Sequence, residues 1–300
     1  MSSAPILVAG KSGQLGQCLL EAAGSRSLRI VLAGRPNFDI ERRESIDRFL
    51  GAVSPALIIN GAAYTAVDKA EAESERCYAV NRDGAAELAA AAWRRGVPFI
   101  HISTDYVFDG KKTSPYHEDD ITCPMGVYGR SKLEGEQAVL RAHSNAMIFR
   151  TSWLYSAFGS NFLITMLRLA RSRPDMRVVD DQHGCPTSAH DLAVALLDVA
   201  SNVLDGGCRP GIYHLSGTGG ATWYGLTTKI FAQAKACGRH VPSLAAITTA
   251  DYPTPARRPA NSVLDCTKID RELGIKLRPW PDAVADCVSR IVENEELQRC

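Results

Sequence analysis

The chain has 300 residues, of which 45% are hydrophobic and 22% are charged, and its formal net charge is +1. These values are ordinary for a globular protein with a sizeable core, and they exclude disordered and fibrous classes. A net charge this small, without runs of like charge, argues against nucleic acid or an anionic membrane as the main partner. We therefore expect a small-molecule ligand.

Nine cysteines are scattered along the chain without C-x-x-C or zinc-like spacing, which indicates buried thiols in a reducing compartment. The first residues, MSSAPILVAG, have no basic segment, and their apolar run is too short for a signal peptide. No stretch approaches the ~18 apolar residues of a membrane span. We expect a cytoplasmic protein.

Short apolar strands alternate with amphipathic helices along the first half of the chain. We predict strands at 5–10, 28–34, 56–63, 97–103 and 146–154, and helices at 14–24, 41–53, 82–96 and 131–142. This alternation is typical of a parallel sheet covered on both faces. The predicted fold class is α/β, a Rossmann-type doubly wound parallel sheet.

The regular alternation loosens after residue 155. We predict further helices at 161–171, 188–204, 222–237 and 281–296, separated by loops rich in glycine and proline. We therefore expect an NAD(P)-binding Rossmann domain at 1–155, to which later segments return. Residues 156–300 are then mainly a smaller, interwoven substrate-binding region.

The turn after the first strand reads GKSGQLG and brings together Gly10, Gly13 and Gly16. Glycine permits a tight turn and a close approach of the backbone to a ligand. The helix N-terminus that follows presents free amide groups to a pyrophosphate. Between a first strand and a first helix, this pattern predicts a dinucleotide site.

The end of the second strand, LAGRPNFD, bears on which dinucleotide binds. Arg35 stands where an acidic residue would hold the ribose hydroxyls of NAD, and its guanidinium can pair with a 2′-phosphate. The alternative is a solvated loop position for Arg35. Asp39 either contacts the adenine side of the pocket or caps the next helix. We predict NADPH, with NADH possible.

Two further segments carry groups suited to reducing a ketone. Thr104 follows the fourth strand, and Tyr128 and Lys132 lie four residues apart in YGRSKLEGE, so they share one helix face. A ketone that accepts hydride needs a proton donor and a second donor that orients its oxygen. We assign Tyr128 as the acid, Lys132 as the cation that favours its phenolate and holds the nicotinamide ribose, and Thr104 as the orienting hydroxyl. Alone, Y-x-x-x-K also occurs on ordinary exposed helices.

Several segments together resemble those of dTDP-4-dehydrorhamnose reductases, members of the extended short-chain dehydrogenase superfamily. They are GKSGQLG, STDYVFDG, YGRSKLEGE, RTSWLYS, DQHGCPT, YHLSG and PARRPANSVLDC, and they cover almost the whole chain. The resemblance implies reduction of the C4 ketone of dTDP-4-dehydro-L-rhamnose to dTDP-L-rhamnose. This is the last step of a bacterial cell-surface sugar pathway that serves lipopolysaccharide and O-antigen.

The resemblance also implies roles for single residues. It makes Tyr128 the proton donor, Lys132 its partner and Thr104 the hydroxyl that orients the oxygen. It places Gly13, Gln14 and Leu15 along the cofactor phosphates. The residues that it places around the adenosine and ribose are Asp39, Ile40, Ala62, Ala63 and Tyr64. It implies substrate contacts from Thr104, Asp105 and Trp153.

Some family members hold magnesium at a dimer contact through acidic side chains. The corresponding places here read Gln17, Cys18, His190 and Asp191, so one carboxylate remains. Because magnesium prefers oxygen ligands, we predict no metal. We expect a monomer or a weak homodimer.

Two polar segments allow more than one interpretation. Asp180, Asp181 and His183 can suggest a metal, but the glycine and proline beside them favour a polar loop near the pocket. Arg257 and Arg258 can bind the substrate diphosphate, or they can lie in a solvated turn.

Two other functions compete with the reductase. One is a non-catalytic regulatory subunit, since the family has a relative that binds NADP and modulates a methionine adenosyltransferase. The other is an epimerase or dehydratase. The intact set Thr104, Tyr128 and Lys132 favours the enzyme over the regulator. Asp105 and Tyr106 follow the threonine, in place of the Asp-Glu pair of the dehydratases.

Overall fold

The computed structural model describes residues 4–297, apart from 25, 27 and 208. The strands in chain order are β1 (Ile6–Ala9), β2 (Ile30–Ala33), β3 (Leu57–Asn60), β4 (Phe99–Thr104), β5 (Met147–Thr151), β6 (Leu154–Tyr155), β7 (Asp175–Val179), β8 (His183–Gly184), β9 (Thr187–Ser188), β10 (Gly211–His214), β11 (Ala221–Thr222) and β12 (Ser243–Ile247). The helices are α1 (Gln14–Ala23), α2 (Arg43–Val53), α3 (Val67–Ala70), α4 (Ser74–Tyr78), α5 (Ala85–Arg94), α6 (Val127–Ala142), α7 (Phe162–Ala170), α8 (Ala189–Leu204), α9 (Trp223–Ala236), α10 (Thr267–Leu273) and α11 (Trp280–Leu297).

Within these residues a parallel sheet of six strands has the order β10-β5-β4-β3-β1-β2. Strands β1 and β3 are apolar and buried along their whole length, because helices cover both faces of the sheet. One face packs against α1 and α8, and the other packs against α2, α5 and α6. The predicted α/β doubly wound fold is confirmed.

The strand order reverses around β1, since β2 lies on one side of it and β3 on the other. In open α/β sheets the carboxyl ends of the strands form a crevice at such a reversal, and ligands bind there. The glycine turn follows β1 at this edge. The topology therefore puts the predicted dinucleotide turn at the switch point of the sheet.

Two helices begin earlier than the sequence indicated. Helix α6 begins at Val127, so it includes Tyr128 as the shared face of Tyr128 and Lys132 requires, although the apolar period marked it only from 131. A carboxylate from another segment caps this start, since Glu71 Oε1 accepts from the Val127 amide at 2.8 Å. The helix predicted at 82–96 is continuous with α4 through a π-helical stretch, Ala79–Gly84. Cys77 is the one buried residue of α4, so this part lacks the apolar period that marks a helix.

The C-terminal half contains elements that the sequence did not indicate. Strand β10 completes the edge of the main sheet beside β5, and β7 pairs with β12 in a separate parallel pair. Helices α7, α9 and α11 enclose a second apolar core with β7. Helix α8 instead packs on α1, against the main sheet. The division of the chain at residue 155 stays a prediction.

The described cysteines are all unpaired thiols, of which Cys18, Cys77 and Cys185 are buried and Cys123 is exposed. None of the described helices combines the length and the apolar character needed to cross a membrane.

Candidate active site

A cleft of about 760 Å³ opens at the carboxyl ends of β1 to β5. Every residue that the sequence assigned to cofactor, substrate or catalysis lines it. These are Gly10, Gly13, Gln14, Leu15, Gly16, Arg35, Asp39, Ile40, Ala62, Ala63, Tyr64, Thr104, Asp105, Tyr128, Lys132 and Trp153. The structure thus brings the predicted residues to one place, while the role of each one stays a prediction.

The glycine turn is closely packed at one end of this cleft. Gly10 has a φ of +108°, and a Cβ there would lie 3.0 Å from the backbone of Gly61. A Cβ on Gly16 would lie 2.6 Å from the carbonyl oxygen of Gly10. Helix α1 begins after Gly13 with no side-chain cap and no acidic residue in its first turn. Its free amide groups therefore suit the two phosphates of a dinucleotide.

Arg35 also lines the cleft, and its side chain is half exposed. Its guanidinium contacts Asp39 at 3.2 Å and also pairs with Glu41. Burial alone would raise the pKa of Asp39, but the hydrogen bond from Arg35 brings it below its usual value. Asp39 makes no cap to α2, whose N-cap residue is Arg42. The arginine thus lines the cleft while two carboxylates balance its charge.

The catalytic candidates meet at the middle of the cleft. Tyr128 lies near Thr104, whose hydroxyl donates to Oδ1 of Asp105 at 3.0 Å. Burial raises the pKa of Tyr128 above its usual value, and the nearby Thr104 hydroxyl opposes this. Burial also raises the pKa of Asp105 to about 6, although Ser262, Ser152 and Thr104 bond to it. The Thr104 and Ser152 hydroxyls thus both donate to a buried carboxyl beside the catalytic candidates.

Lys132 is buried in the wall of the cleft, one helical turn after Tyr128. Its Nζ donates to the carbonyl oxygen of Ile102 at 2.6 Å and lies 3.4 Å from Nε2 of His101. Burial lowers the pKa of Lys132 to about 8, while Glu136 and Cys77 oppose this shift. The amine therefore changes its charge close to neutral pH.

Trp153 also lines the cleft and has an unusual backbone, with a φ of +44°. Its indole stacks on Trp223 with ring centroids 3.5 Å apart and planes 6° apart. The indole also lies directly over the backbone of Gly184. Such a held aromatic face suits the apolar face of a sugar or a base.

Sequence reasoning missed several residues that hold these groups in place. Ser152 donates to Oδ2 of Asp105 at 2.9 Å, and Oε1 of Gln14 accepts from Ser156 and Asn161 at 3.0 and 2.9 Å. Ser152 follows β5 at the same sheet edge as Thr104, a position that could have indicated it. The partners of Gln14 come from a distant loop, and no local pattern points to them.

The ambiguous polar segments contribute nothing to the lining of this cleft. Asp180 accepts a hydrogen bond from Thr222, and Arg258 pairs with Asp68 at 2.9 Å. Asp191 pairs with Arg278 at 2.7 Å. Among residues 4–297, gaps excepted, there is no group of three or more His, Cys, Asp or Glu side chains placed to hold a metal. The expected lack of a metal stays a prediction.

Comparison with known proteins identifies the family of the chain. A family model described as the RmlD substrate binding domain matches residues 4–293. The dTDP-4-dehydrorhamnose reductase of Sinorhizobium fredii is 48% identical, over 93% of this chain and 94% of that protein.

Two solved structures agree with this result. The dTDP-4-dehydrorhamnose reductase of Clostridium acetobutylicum has a TM-score of 0.89 and 33% identity, covering 96% of this chain and 99% of that one. The Bacillus anthracis reductase, solved in complex with NADP, has a TM-score of 0.88 and 33% identity, covering 96% of this chain and 100% of that one. The resemblance seen in the motifs is confirmed. The chain belongs to the dTDP-4-dehydrorhamnose reductase family.

Proposed function

We propose that this protein reduces the C4 ketone of dTDP-4-dehydro-L-rhamnose to dTDP-L-rhamnose, the last step of dTDP-rhamnose biosynthesis. The observation that supports it most is that Tyr128 and Thr104 line the same cleft, with Lys132 one turn after the tyrosine, and that this cleft reaches the glycine turn. A proton donor, an orienting hydroxyl and a dinucleotide site are the parts that this reaction needs.

NADPH is the proposed cofactor, and the Bacillus anthracis relative was solved with NADP. The residues fit this molecule, because the uncapped start of α1 suits its phosphates and Arg35 reaches the adenosine end. When bound, the nicotinamide supplies the hydride. Lys132 would hold its ribose. NADH remains the second choice, since Arg35 is shared with Asp39 and Glu41.

The chain's own residues then handle the proton. Tyr128 gives its phenolic proton to the C4 oxygen as negative charge develops there, and Thr104 orients that oxygen. The phenolate that remains is stabilised by the positive charge of Lys132. Trp153 and Asp105 would contact the substrate, with the Trp223 stack holding the indole in place.

We further propose a cytoplasmic protein that is a monomer or a weak homodimer without a metal. At the place where family members use acidic side chains, Cys18 is buried and burial raises its pKa to about 12, so it is a thiol and not a thiolate. The carboxylate of Asp191 forms an ion pair with Arg278. Light scattering with and without magnesium tests this state, and a magnesium-dependent dimer would contradict it.

The proposed activity is tested by loss of the reduced-nicotinamide absorbance. The purified protein is mixed with NADPH or NADH, and dTDP-4-dehydrorhamnose is generated in the same cuvette by the upstream enzymes. Oxidation only with the keto sugar present, with dTDP-rhamnose as product, is the expected result. Binding of the cofactor without oxidation would reject the reductase and favour a regulatory protein that binds NADP.

A further inference from the structure

Lys132 is supported from behind by a buried chain of polar side chains. Asn60, at the end of β3, and His101, in β4, are both completely buried, and neither lines the cleft. Nδ2 of Asn60 lies 3.2 Å from Nδ1 of His101, and Nε2 of His101 lies 3.4 Å from Nζ of Lys132. Polar groups at this depth are kept only when they are paired, so the order of donors and acceptors along the chain matters.

The backbone fixes that order, starting from Ala62. The Ala62 amide donates to Oδ1 of Asn60 at 3.1 Å, so the amide nitrogen of Asn60, which can only donate, faces His101. Nδ1 of His101 must therefore accept. Burial holds the pKa of His101 well below its usual value, and the charge of Lys132 lowers it further, so the ring is neutral. Its single proton is on Nε2, which faces Lys132.

An N–H directed at Lys132 distinguishes between the two states of the amine. A neutral amine has a lone pair and can accept this proton, whereas an ammonium group has only N–H donors. The bond from Nζ to the Ile102 oxygen, at 2.6 Å, can form in both states. The contact with His101 therefore favours the neutral amine.

The other groups that face Lys132 come from its own helix and from α4. Glu136 and Cys77 favour the ammonium, while burial disfavours it. The carboxylate of Glu136 is already engaged by the buried guanidinium of Arg150 at 2.8 Å. The contact with His101 therefore acts in the same direction as burial, and against these two neighbours.

We propose that His101, oriented by Asn60, is a positioning residue that weakens the hold of Lys132 on its proton. Its Nε2–H disfavours the ammonium, so Lys132 loses its charge at a lower pH than it would beside an acceptor. The consequence for the reaction rests on the proposed function, which gives Lys132 its task at the ribose and at Tyr128. The placement of the proton on His101 does not rest on it.

Nitrogen NMR of protein labelled at histidine tests the tautomer without any assay of activity. His101→Asn identifies the signal of His101 by its loss. We expect the neutral ring with the lone pair on Nδ1 and the proton on Nε2. The opposite tautomer, or a charged ring at neutral pH, would overturn the proposal.

The effect on Lys132 is tested by the pH dependence of NADPH affinity and of kcat/KM, which report groups of the free enzyme. His101→Asn keeps a partner for Asn60 but lacks the Nε2–H, so we expect the alkaline limb of both profiles to move up by about one pH unit, a tenfold change in proton affinity. His101→Gln can present an oxygen to Lys132. We expect the alkaline limb of its pH profiles to move up by at least the same amount.

His143→Asn is the matched control, because His143 is also buried and bonds to the Val97 oxygen at 3.0 Å without touching Lys132. It should leave both limbs in place even if it lowers stability. If the limbs of both His101 variants coincide with that of the wild type, the positioning role is wrong. If the wild type binds no NADPH and turns over no substrate, the proposed function fails, while the NMR result still decides the tautomer.

Discussion

The hydroxyl of Thr104 donates to Oδ1 of Asp105 across 3.0 Å. The amide of Tyr106 also donates to this hydroxyl, at 3.2 Å. Because Thr104 has a single proton, it can donate to a substrate oxygen only if it releases Asp105. The protonation of Asp105 therefore bears on catalysis as well as on stability.

Asp105→Asn should stabilise the protein at neutral pH. Burial raises the pKa of Asp105 from 3.8 to about 6, so the folded state binds this proton more tightly than the unfolded state. The charged carboxyl therefore costs stability as the pH rises from about 4 to about 6, and the full cost is about 3 kcal/mol. Urea denaturation at several pH values measures it. The advantage of Asn should be largest above pH 6 and should disappear near pH 4, and an advantage independent of pH would contradict the charge as its cause.

Tyr128→Phe should lower turnover by about 10²–10⁴-fold, the usual contribution of a positioned general acid. The ring stays, so NADPH affinity should remain within about threefold of the wild type. Tyr155→Phe is the control, because the Tyr155 hydroxyl is buried without a hydrogen-bond partner and lies outside the cleft. Stopped-flow and binding measurements separate the two effects. Equal turnover in Tyr128→Phe and the wild type would exclude Tyr128 as the donor.

Arg35→Ala should weaken NADPH by about 10- to 100-fold and NADH by little, since a hydrogen bond to a charged group contributes about 1.5–3 kcal/mol. Arg42→Ala is the control: Arg42 is an exposed arginine 3.9 Å from the same Asp39 carboxylate, and it does not line the cleft. Fluorescence titration with each cofactor measures the dissociation constants, and so the ratio of NADPH affinity to NADH affinity in each variant. A similar loss for NADPH and NADH would mean that Arg35 does not meet the 2′-phosphate.

Glu136→Gln should destabilise the protein by about 3–5 kcal/mol, because it leaves the guanidinium of Arg150 buried without a counter-charge. The two side chains are 1% and 3% exposed, and Arg150 Nη2 lies 2.8 Å from Glu136 Oε2. Glu21→Gln breaks the exposed pair with Arg290 and should cost at most about 1 kcal/mol. Denaturation midpoints compare the variants. Equal losses of stability in Glu136→Gln and Glu21→Gln would show that burial of the ion pair does not determine the cost of breaking it.

The sequence predicted the parts of the fold that depend on local patterns. Strands β1 to β5 are short apolar runs, and the glycine turn and the spacing of Tyr128 and Lys132 are local as well, so their place at one sheet edge followed from the α/β alternation. The start of α6 did not follow, because its cap is a carboxylate from Glu71, far away in the chain. Strand β10 is a short edge strand whose pairing with β5 decides its conformation.

The supporting groups of the site were the hardest to predict. His101 lies within an apolar strand, where a polar residue is equally compatible with a satisfied core position. The role of His101 depends on its contacts with Asn60 and Lys132, which come from different elements and meet only in the folded protein. Hydrogen bonds of this kind have no spacing along the chain, so they are visible only in the structure.

Gly184→Ala should raise the KM for the keto sugar and leave NADPH affinity unchanged. A Cβ at this position would lie 2.3 Å from Cε2 and 2.5 Å from Nε1 of Trp153, so the indole must move off Trp223. Gly51→Ala is the control, since a Cβ at Gly51 in α2 meets nothing within 4 Å and should even favour the helix. Steady-state kinetics with the sugar varied at saturating cofactor measures the effect. If Gly184→Ala and Gly51→Ala show the same KM, the position of the Trp153 indole does not determine substrate binding.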